Sequence, residues 1–323
     1  MSEFAPMLLK KISITGNASV VKFRKDAIYL FRIENEQQKM DDKFDKFKPA
    51  AHMKEQTELN NRLILCIAGS DLSEAKRLIN QGAQVNAKVE LKRDSLRIIK
   101  EKIHSELGKI IIGELKVVDK NPDIPVPCTP LAMAAFTGQT EMVRLLIEKG
   151  ADVNADTNGF FNASNLAAME GHTDILNILI DSEADIEWQG AQIVMSAAGS
   201  GHIETLDRLF EIDPSFSTQE IKNLSLIMAV CFGGGQTEMV KHLISNGADA
   251  NATDYADMNK TVGPSVLHTA ARKGYTEIVQ ILVEAGANVN DRRTTDQKTA
   301  LDYAKENGHT EIVEFLKKFS AKK

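Results

Sequence analysis

Residues 274–291 read GYTEIVQILVEAGANVND, and the phrase recurs along the chain. It returns as GQTEMVRLLIEKGADVNA from Gly138, GHTDILNILIDSEADIEW from Gly171 and GQTEMVKHLISNGADANA from Gly235. A last copy, GHTEIVEFLKKFSAKK, starts at Gly308, and a weaker one, SDLSEAKRLINQGAQVNA, at Ser70. The period is nearly constant: Gly138 and Gly171 are 33 residues apart, Gly201 and Gly235 are 34, and Gly274 and Gly308 are 34. A fixed period of this length is the mark of a repeat array.

Each copy contains the material for two helices and a turn. Ile278, Ile281 and Leu282 fall at i, i+3 and i+4, as do Val143, Leu146 and Ile147, which predicts an amphipathic helix. Upstream lies a shorter phrase with paired alanines: Thr129-Pro130-Leu131 with Ala134-Ala135, Val266-Leu267-His268 with Ala270-Ala271, and Thr299-Ala300-Leu301 with Ala304. Thr and Pro suit the first turn of a helix, and small alanines let neighbouring helices approach closely. The glycines after each helix suit left-handed C-terminal positions. A unit this small cannot bury its apolar face alone, so the units must stack.

The Thr-Pro-Leu phrase, the Gly-His turn, the leucine-rich helix and the Gly-Ala-Asp-Val-Asn-Ala ending together resemble the ankyrin repeat over about residues 60–320. Seven copies begin near Asn60, Cys128, Asn162, Ala191, Leu224, Ser265 and Lys298. The fourth is degenerate, with Asp213-Pro214-Ser215 in place of Gly-Ala-Asp, and Gly233-Gly234-Gly235 widens a turn in the fifth. The expected fold is therefore all-α: an ankyrin solenoid of about seven helix–turn–helix repeats joined by finger turns. Lys317, Lys318, Lys322 and Lys323 give the last copy a polar close.

Two stretches break the pattern. Residues 1–55 hold strand-like runs, Ile12–Thr15 and Ser19–Phe23 about a Gly16-Asn17 turn and then Ala27–Ile33, and read as a small β-rich cap or module ahead of a repeat domain at 56–323. Residues 88–127 are either an insertion or a decayed repeat. The absence of ankyrin landmarks favours an insertion, with Ser95 capping a helix through Leu96, Ile99, Ile103 and Leu107, then a hairpin over 110–118.

Composition narrows the function. With 43% hydrophobic and 26% charged residues the chain is expected to fold, and a net charge of -6 gives no reason to expect nucleic-acid binding. No run of about 18 apolar residues could span a membrane. Three cysteines, Cys66, Cys128 and Cys231, argue for a reducing compartment. Cys66 and Cys231 fall at or beside alanine-like positions and read as buried, whereas Cys128 reads as exposed. His172, His202, His268 and His309 sit at structural positions of the repeat, and no zinc or nucleophile motif is present. Neither a metal nor a cofactor is expected. Gly233-Gly234-Gly235 and Asn154-x-Asp156-x-Asn158-Gly159 mimic a dinucleotide loop and a calcium loop, but the repeat register explains both.

The resemblance implies a non-enzymatic module that holds a protein partner on its concave face. In this register the finger tips carry Phe160, Phe161, Trp188, Tyr255, Met258, Arg292 and Arg293, and the exposed inner-helix positions carry Phe136, Met169, Phe232, Arg272 and Lys273. Aromatic and arginine side chains are the usual interface anchors. Activity in the N-terminal segment or the insertion, or a structural self-assembling role, are the competing expectations. The expected setting is the cytoplasm, or a host-cell cytoplasm if the chain is a bacterial effector. The resemblance also marks Asn154, Asn251 and Asn290 as sites where asparagine hydroxylation occurs in this family.

Overall fold

The computed structural model describes residues 50–91, 126–155, 162–232, 234–255, 262–292 and 296–320. The strand-like runs before residue 50, the helix and hairpin expected between 92 and 125, and the finger tip at 156–161 therefore lie outside the described residues.

Fourteen α-helices occupy the described residues, two per repeat. They fall into two compact units, which divide between residues 193 and 194. The first unit holds α1 (Ala50–Ala68), α2 (Leu72–Asn80), strand β1 (Val89–Leu91), β2 (Val126–Cys128), α3 (Pro130–Phe136), α4 (Thr140–Glu148), α5 (Ala163–Glu170) and α6 (Thr173–Asp181). α7 (Ile186–Ser200) runs through the division. The second unit continues with α8 (Ile203–Ile212), a 3-10 turn (Pro214–Ser217), α9 (Gln219–Cys231), α10 (Thr237–Ser245), β3 (Thr253–Tyr255), β4 (Val262–Ser265), α11 (Val266–Lys273), α12 (Thr276–Glu284), α13 (Ala300–Glu306) and α14 (Thr310–Ser320).

Within each unit, inner helices pack on inner helices and each outer helix packs on its own inner partner. α1, α3 and α5 form one such row, and α9, α11 and α13 the other. The paired alanines sit in these rows: Ala134, Ala135, Ala167, Ala168, Ala270 and Ala271 are all completely buried. The strands are confined to the fingers. β1 pairs antiparallel with β2, Val89 opposite Cys128, so the chain leaves and re-enters the array at one place around residues 92–125. β3 pairs with β4, Thr253 opposite Ser265, with a bulge before Tyr255.

The buried stripe of the outer helices is wider than the expected spacing and turned by one residue. In α12 the buried set is Ile278, Val279, Leu282 and Val283, while Ile281 is half-buried. In α4 it is Met142, Val143, Leu145 and Leu146, with Ile147 at the edge. Each outer helix faces both its inner partner and the next outer helix, and a two-sided contact needs more than a narrow seam.

Side-chain amides join successive finger turns. Asn86 accepts a hydrogen bond from the Asp152 N–H (2.8 Å) and donates its Nδ2 to the Gly150 carbonyl (3.0 Å). Asn154 does the same for Asp185 (2.7 Å) and Glu183 (3.1 Å). Asn251 does it for Asn288 (2.8 Å) and Gly286 (3.3 Å). No finger precedes the first repeat among the described residues, and the fifth follows the degenerate Asp213-Pro214 turn. There a helix supplies the amides. Gln56 and Asn60 of α1 hold Gly82 and Gln84 (3.0 and 2.9 Å), and Gln219 and Asn223 of α9 hold Gly247 and Asp249 (2.9 and 2.8 Å). Each Gln also donates to its own Asn (3.0 and 2.9 Å), which fixes the pair for the task.

A second set of contacts lies at the opposite end of the repeats. Gly274 has a φ of +80°, and a Cβ placed on it would stand 2.6 Å from the His309 ring. His309 in turn hydrogen-bonds the Arg272 carbonyl (3.0 Å), and Gln236 reaches the Ser200 carbonyl the same way (3.1 Å). These bonds satisfy carbonyls that a helix C-terminus leaves open. His268 is 1% exposed. Its Nε2–H donates to the Asp291 carbonyl (3.0 Å) and Nδ1 accepts from the Ser265 N–H (3.1 Å), so it ties α11 to a finger as the neutral tautomer.

Two stability measurements test this packing. Gly274→Ala should lose about 2–4 kcal/mol in urea unfolding, because it combines a left-handed backbone with a clash at His309. Gly286→Ala, with a φ of +92° and nothing within 4 Å, should lose only about 1–2 kcal/mol. Thr299 and Asp302 cap α13 reciprocally, Thr299 N–H to Asp302 at 3.0 Å and Asp302 N–H to Thr299 Oγ1 at 3.2 Å. The Thr299 bonds hold the Asp302 carboxyl below the ordinary carboxylate range. A depressed carboxyl stabilises the fold above its unfolded pKa and loses that contribution as pH falls through its folded value. Thr299→Ala should therefore cost about 1 kcal/mol at neutral pH. The gap from wild type should shrink in acid-unfolding series below the carboxylate range.

Candidate partner-binding surface

The C-terminal ends of the inner helices are the positions where a stacked repeat turns side chains outward. In the first unit they are closed. Met133 and Phe136 of α3 are 1% and 6% exposed, and Met169 and Glu170 of α5 are 3% and 5% exposed. Phe136 and Met169, expected as exposed contacts, are core residues. Their exposure depends on what covers the helix face, which register alone does not specify.

In the second unit the same positions are open. Met228, Cys231 and Phe232 at the end of α9 are half-buried, as is Arg272 of α11, and Lys273 is exposed. The Lys273 ammonium donates to the Cys231 carbonyl (2.6 Å) and lies 5.7 Å from the centre of the Tyr275 ring. Although the residue as a whole is exposed, its ammonium is partly desolvated against α9, which holds it below the ordinary lysine value, with Arg272 adding like-charge repulsion. Tyr303 of α13 lies edge-on to His268 (5.9 Å) and beneath Lys298 (5.7 Å).

The finger residues divide. Phe160, Phe161, Met258 and Arg293 lie outside the described residues. Arg292 is exposed, with Nη1 donating to the Gln297 carbonyl (2.7 Å) and 3.9 Å from Asp302. Tyr255 ends β3, paired with Val262. Trp188 is not at a turn: it lies in the first turns of α7, which starts at Ile186 where a finger would otherwise form. Here Ile186-Glu187-Trp188 stands where other copies carry Val-Asn-Ala, and the helix runs on through Gly190, so helix and finger merge.

Elsewhere a shallow groove of about 340 Å³ separates α2 from α4, with Leu72, Ile79 and Leu145 on its walls. Lys76, Arg144 and Lys149 there stand among Glu141 and Glu148, so the groove carries charges of both signs with one cation in excess. Among the described residues no three His, Cys, Asp or Glu side chains converge as metal ligands, and no helix is long and apolar enough to cross a membrane.

A family model described as ankyrin repeats (3 copies) matches residues 99–189 and 226–323, more than half of the sequence. The chain belongs to the ankyrin-repeat family. The residues left between the two matched regions hold the degenerate fourth repeat, and the first region begins inside the 88–127 stretch. The ankyrin repeat and KH domain-containing protein mask-1 of Caenorhabditis elegans is 28% identical over 209 residues, 64% of this chain and 6% of that protein. A transient receptor potential channel homologue of the same organism is 26% identical over 68% of this chain and 17% of its own length, so the chain spans a small part of these relatives. Cyclin-dependent kinase 4 inhibitor B of Rattus norvegicus is 28% identical over 38% of this chain and 87% of the inhibitor. The human ASB11 ankyrin repeat domain superposes with a TM-score of 0.55 at 21% identity, covering 79% of this chain and 96% of that one, which shows a shared fold.

The cysteines correct the sequence expectation. Cys128 is 5% exposed rather than open, and burial pushes its thiol up to about 12. Cys66 is half-buried, and burial, with Asp71 and Glu74 nearby, pushes it up to about 11. Because the thiolate is the reactive form, neither should react quickly with an aromatic disulfide at mildly alkaline pH in the folded protein. Both should react on unfolding. Rapid labelling of Cys128 in the native state, read by mass spectrometry of peptides, would contradict the packing around β2.

Proposed function

We propose that this ankyrin chain is a non-enzymatic protein-interaction module. The observation that carries the reading is the open inner face of the second unit, where aromatic and cationic side chains stand at positions that the repeat holds rigidly. Stacked helices with their turns bound by Asn, Gln and His side chains need little reordering to receive a partner, which lowers the cost of binding. Family membership supports the same reading, since this fold is a binding scaffold without catalytic chemistry of its own.

The contact residues we propose are Arg272 and Arg292, with Phe160, Phe161, Trp188, Tyr255, Met258 and Arg293 from the fingers and their flanks; Phe136 is set aside because it is buried. We further propose that residues 88–127 are an insertion in the first finger, an extended binding arm set on the β1–β2 pair. The cytoplasm is the proposed setting, in keeping with three free cysteines. Delivery into a host cell as a bacterial effector is its narrower form.

Affinity capture from cell lysate with mass spectrometry tests the module. Wild type is compared with Arg272→Ala/Arg292→Ala on the open face, with Phe160→Ala/Phe161→Ala and with a variant lacking residues 92–122, each checked for helicity by circular dichroism. A partner held by wild type and lost by a folded variant is the expected result. Absence of any specific partner from every lysate sinks the reading.

A further inference from the structure

Three consecutive repeats of the second unit differ at one structural position, the two residues just before the turn glycine that follows the inner helix. Repeat five ends on Cys231-Phe232, repeat six on Arg272-Lys273 and repeat seven on Glu306-Asn307. An apolar step is thus followed by a dibasic one. In this chain, with 45 acidic and 39 basic residues, such a pair is against the prevailing charge. The neighbouring cations have partners: Lys298 meets Glu306 (2.8 Å) and Asp296 (3.2 Å), Lys305 meets Asp302 (4.0 Å), and Arg292 meets Asp302 (3.9 Å). Arg272 and Lys273 make no ion pair among the described residues. Lys273 does cap the end of α9 through the Cys231 carbonyl, which uses one of its three donors. The Arg272 guanidinium, half-buried and close enough to Tyr303 to act on its hydroxyl, has its fork uncommitted.

We infer that this face receives an extended acidic peptide segment, with a carboxylate on Arg272 and Lys273 and an apolar side chain against Phe232. The inference rests on the interaction-module reading and gives the partner a chemistry. Adjacent packed helices stand about 10 Å apart, and an extended chain rises about 3.3 Å per residue. The carboxylate and the apolar residue therefore lie about three positions apart in the peptide. Arginine is the better suited of the two cations to a bidentate grip on a carboxylate, and a partly desolvated site strengthens it.

The test is selection of a random 12-residue peptide library, displayed on phage, against the full-length chain. The expected result is enrichment of sequences with an Asp or Glu three positions from a Leu, Ile, Phe or Met. A synthetic peptide of that class, followed by fluorescence anisotropy, should bind Arg272→Glu/Lys273→Glu at least about tenfold more weakly. Phe232→Ser should weaken it while leaving its salt dependence in place. Thermal melts of both variants separate lost binding from lost folding, and Arg272→Lys, which keeps charge but not the fork, gives a milder variant if the double one unfolds. Enriched peptides without acidic residues, or ones that bind the folded charge-reversed variant as well as wild type, overturn the inference and leave the module reading standing. Enrichment of no peptide, with concentration-dependent self-association that the double variant abolishes in sedimentation, assigns the face to a second copy of the chain and overturns it too. Enrichment of none without self-association counts against both readings.

Discussion

Everything in this fold depends on how the ends of the outer helices are satisfied. Each turn leaves a glycine-type carbonyl and an N–H two residues on, both able to bond only to something outside the turn itself. A single primary amide, with one acceptor and a two-hydrogen donor, fits both. Asn86, Asn154 and Asn251 provide it from the preceding finger, and their short side chains set the distance between adjacent turns. Exposure keeps each of these bonds modest, about 1 kcal/mol. Their effect is on register: helix faces that are apolar and featureless could slide, but an amide clamped to two backbone groups cannot. The ring-to-glycine contacts at the other end, with His309 over Gly274, fix the same register from the far side.

Much of this architecture is legible in the residues themselves. The Gly-x-Thr-Glu phrase places four of the seven outer helix starts, its variants Gly-His-Thr-Asp and Gly-His-Ile-Glu two more, and the alanine pairs place the inner rows. What the letters conceal is of two kinds. One concerns cover: Phe136 and Met169 occupy nominally outward positions, yet are core, because exposure is decided by tertiary neighbours rather than by register. Cys128 is misread for the same reason, lying in a strand paired to Val89 instead of at a free turn. The other concerns substitution of one element for another. Gln56-x-x-x-Asn60 and Gln219-x-x-x-Asn223 are a visible signal, two amides one helical turn apart, but their meaning depends on knowing which turn lacks its asparagine. Trp188 belongs here as well: the helix that starts at Ile186 runs on through Gly190, and helix replaces finger.

The candidate surface follows the same division. Arg272 and Arg292 were legible because arginine at an inner-helix end or a finger is unexpected in a core. The contribution of Lys273, bent back over the Cys231 carbonyl, and of Tyr303 beneath Lys298 was not, since both depend on contacts between neighbouring repeats. The result is a face whose chemistry changes from apolar to cationic to polar along three steps of the stack, while the scaffold beneath it hardly changes. The proposed contact residues and the helix-end bonds thus fall largely at different positions of the repeat, with Lys273 belonging to both.

The glutamine–asparagine pairs of α1 and α9 have a further meaning. A repeat that brings its own amides needs no predecessor to complete its turn. Among the described residues two repeats do so, the first and the fifth, which gives the array two points of origin. An array with a single origin can only be extended or trimmed at its ends. One with an origin inside it can be spliced there: a gene duplication, a new domain or a break could enter just ahead of Thr218, which caps α9, and the fifth and sixth finger turns would keep their amide bonds, although the Gln236 bond to the Ser200 carbonyl at the opposite end would be lost.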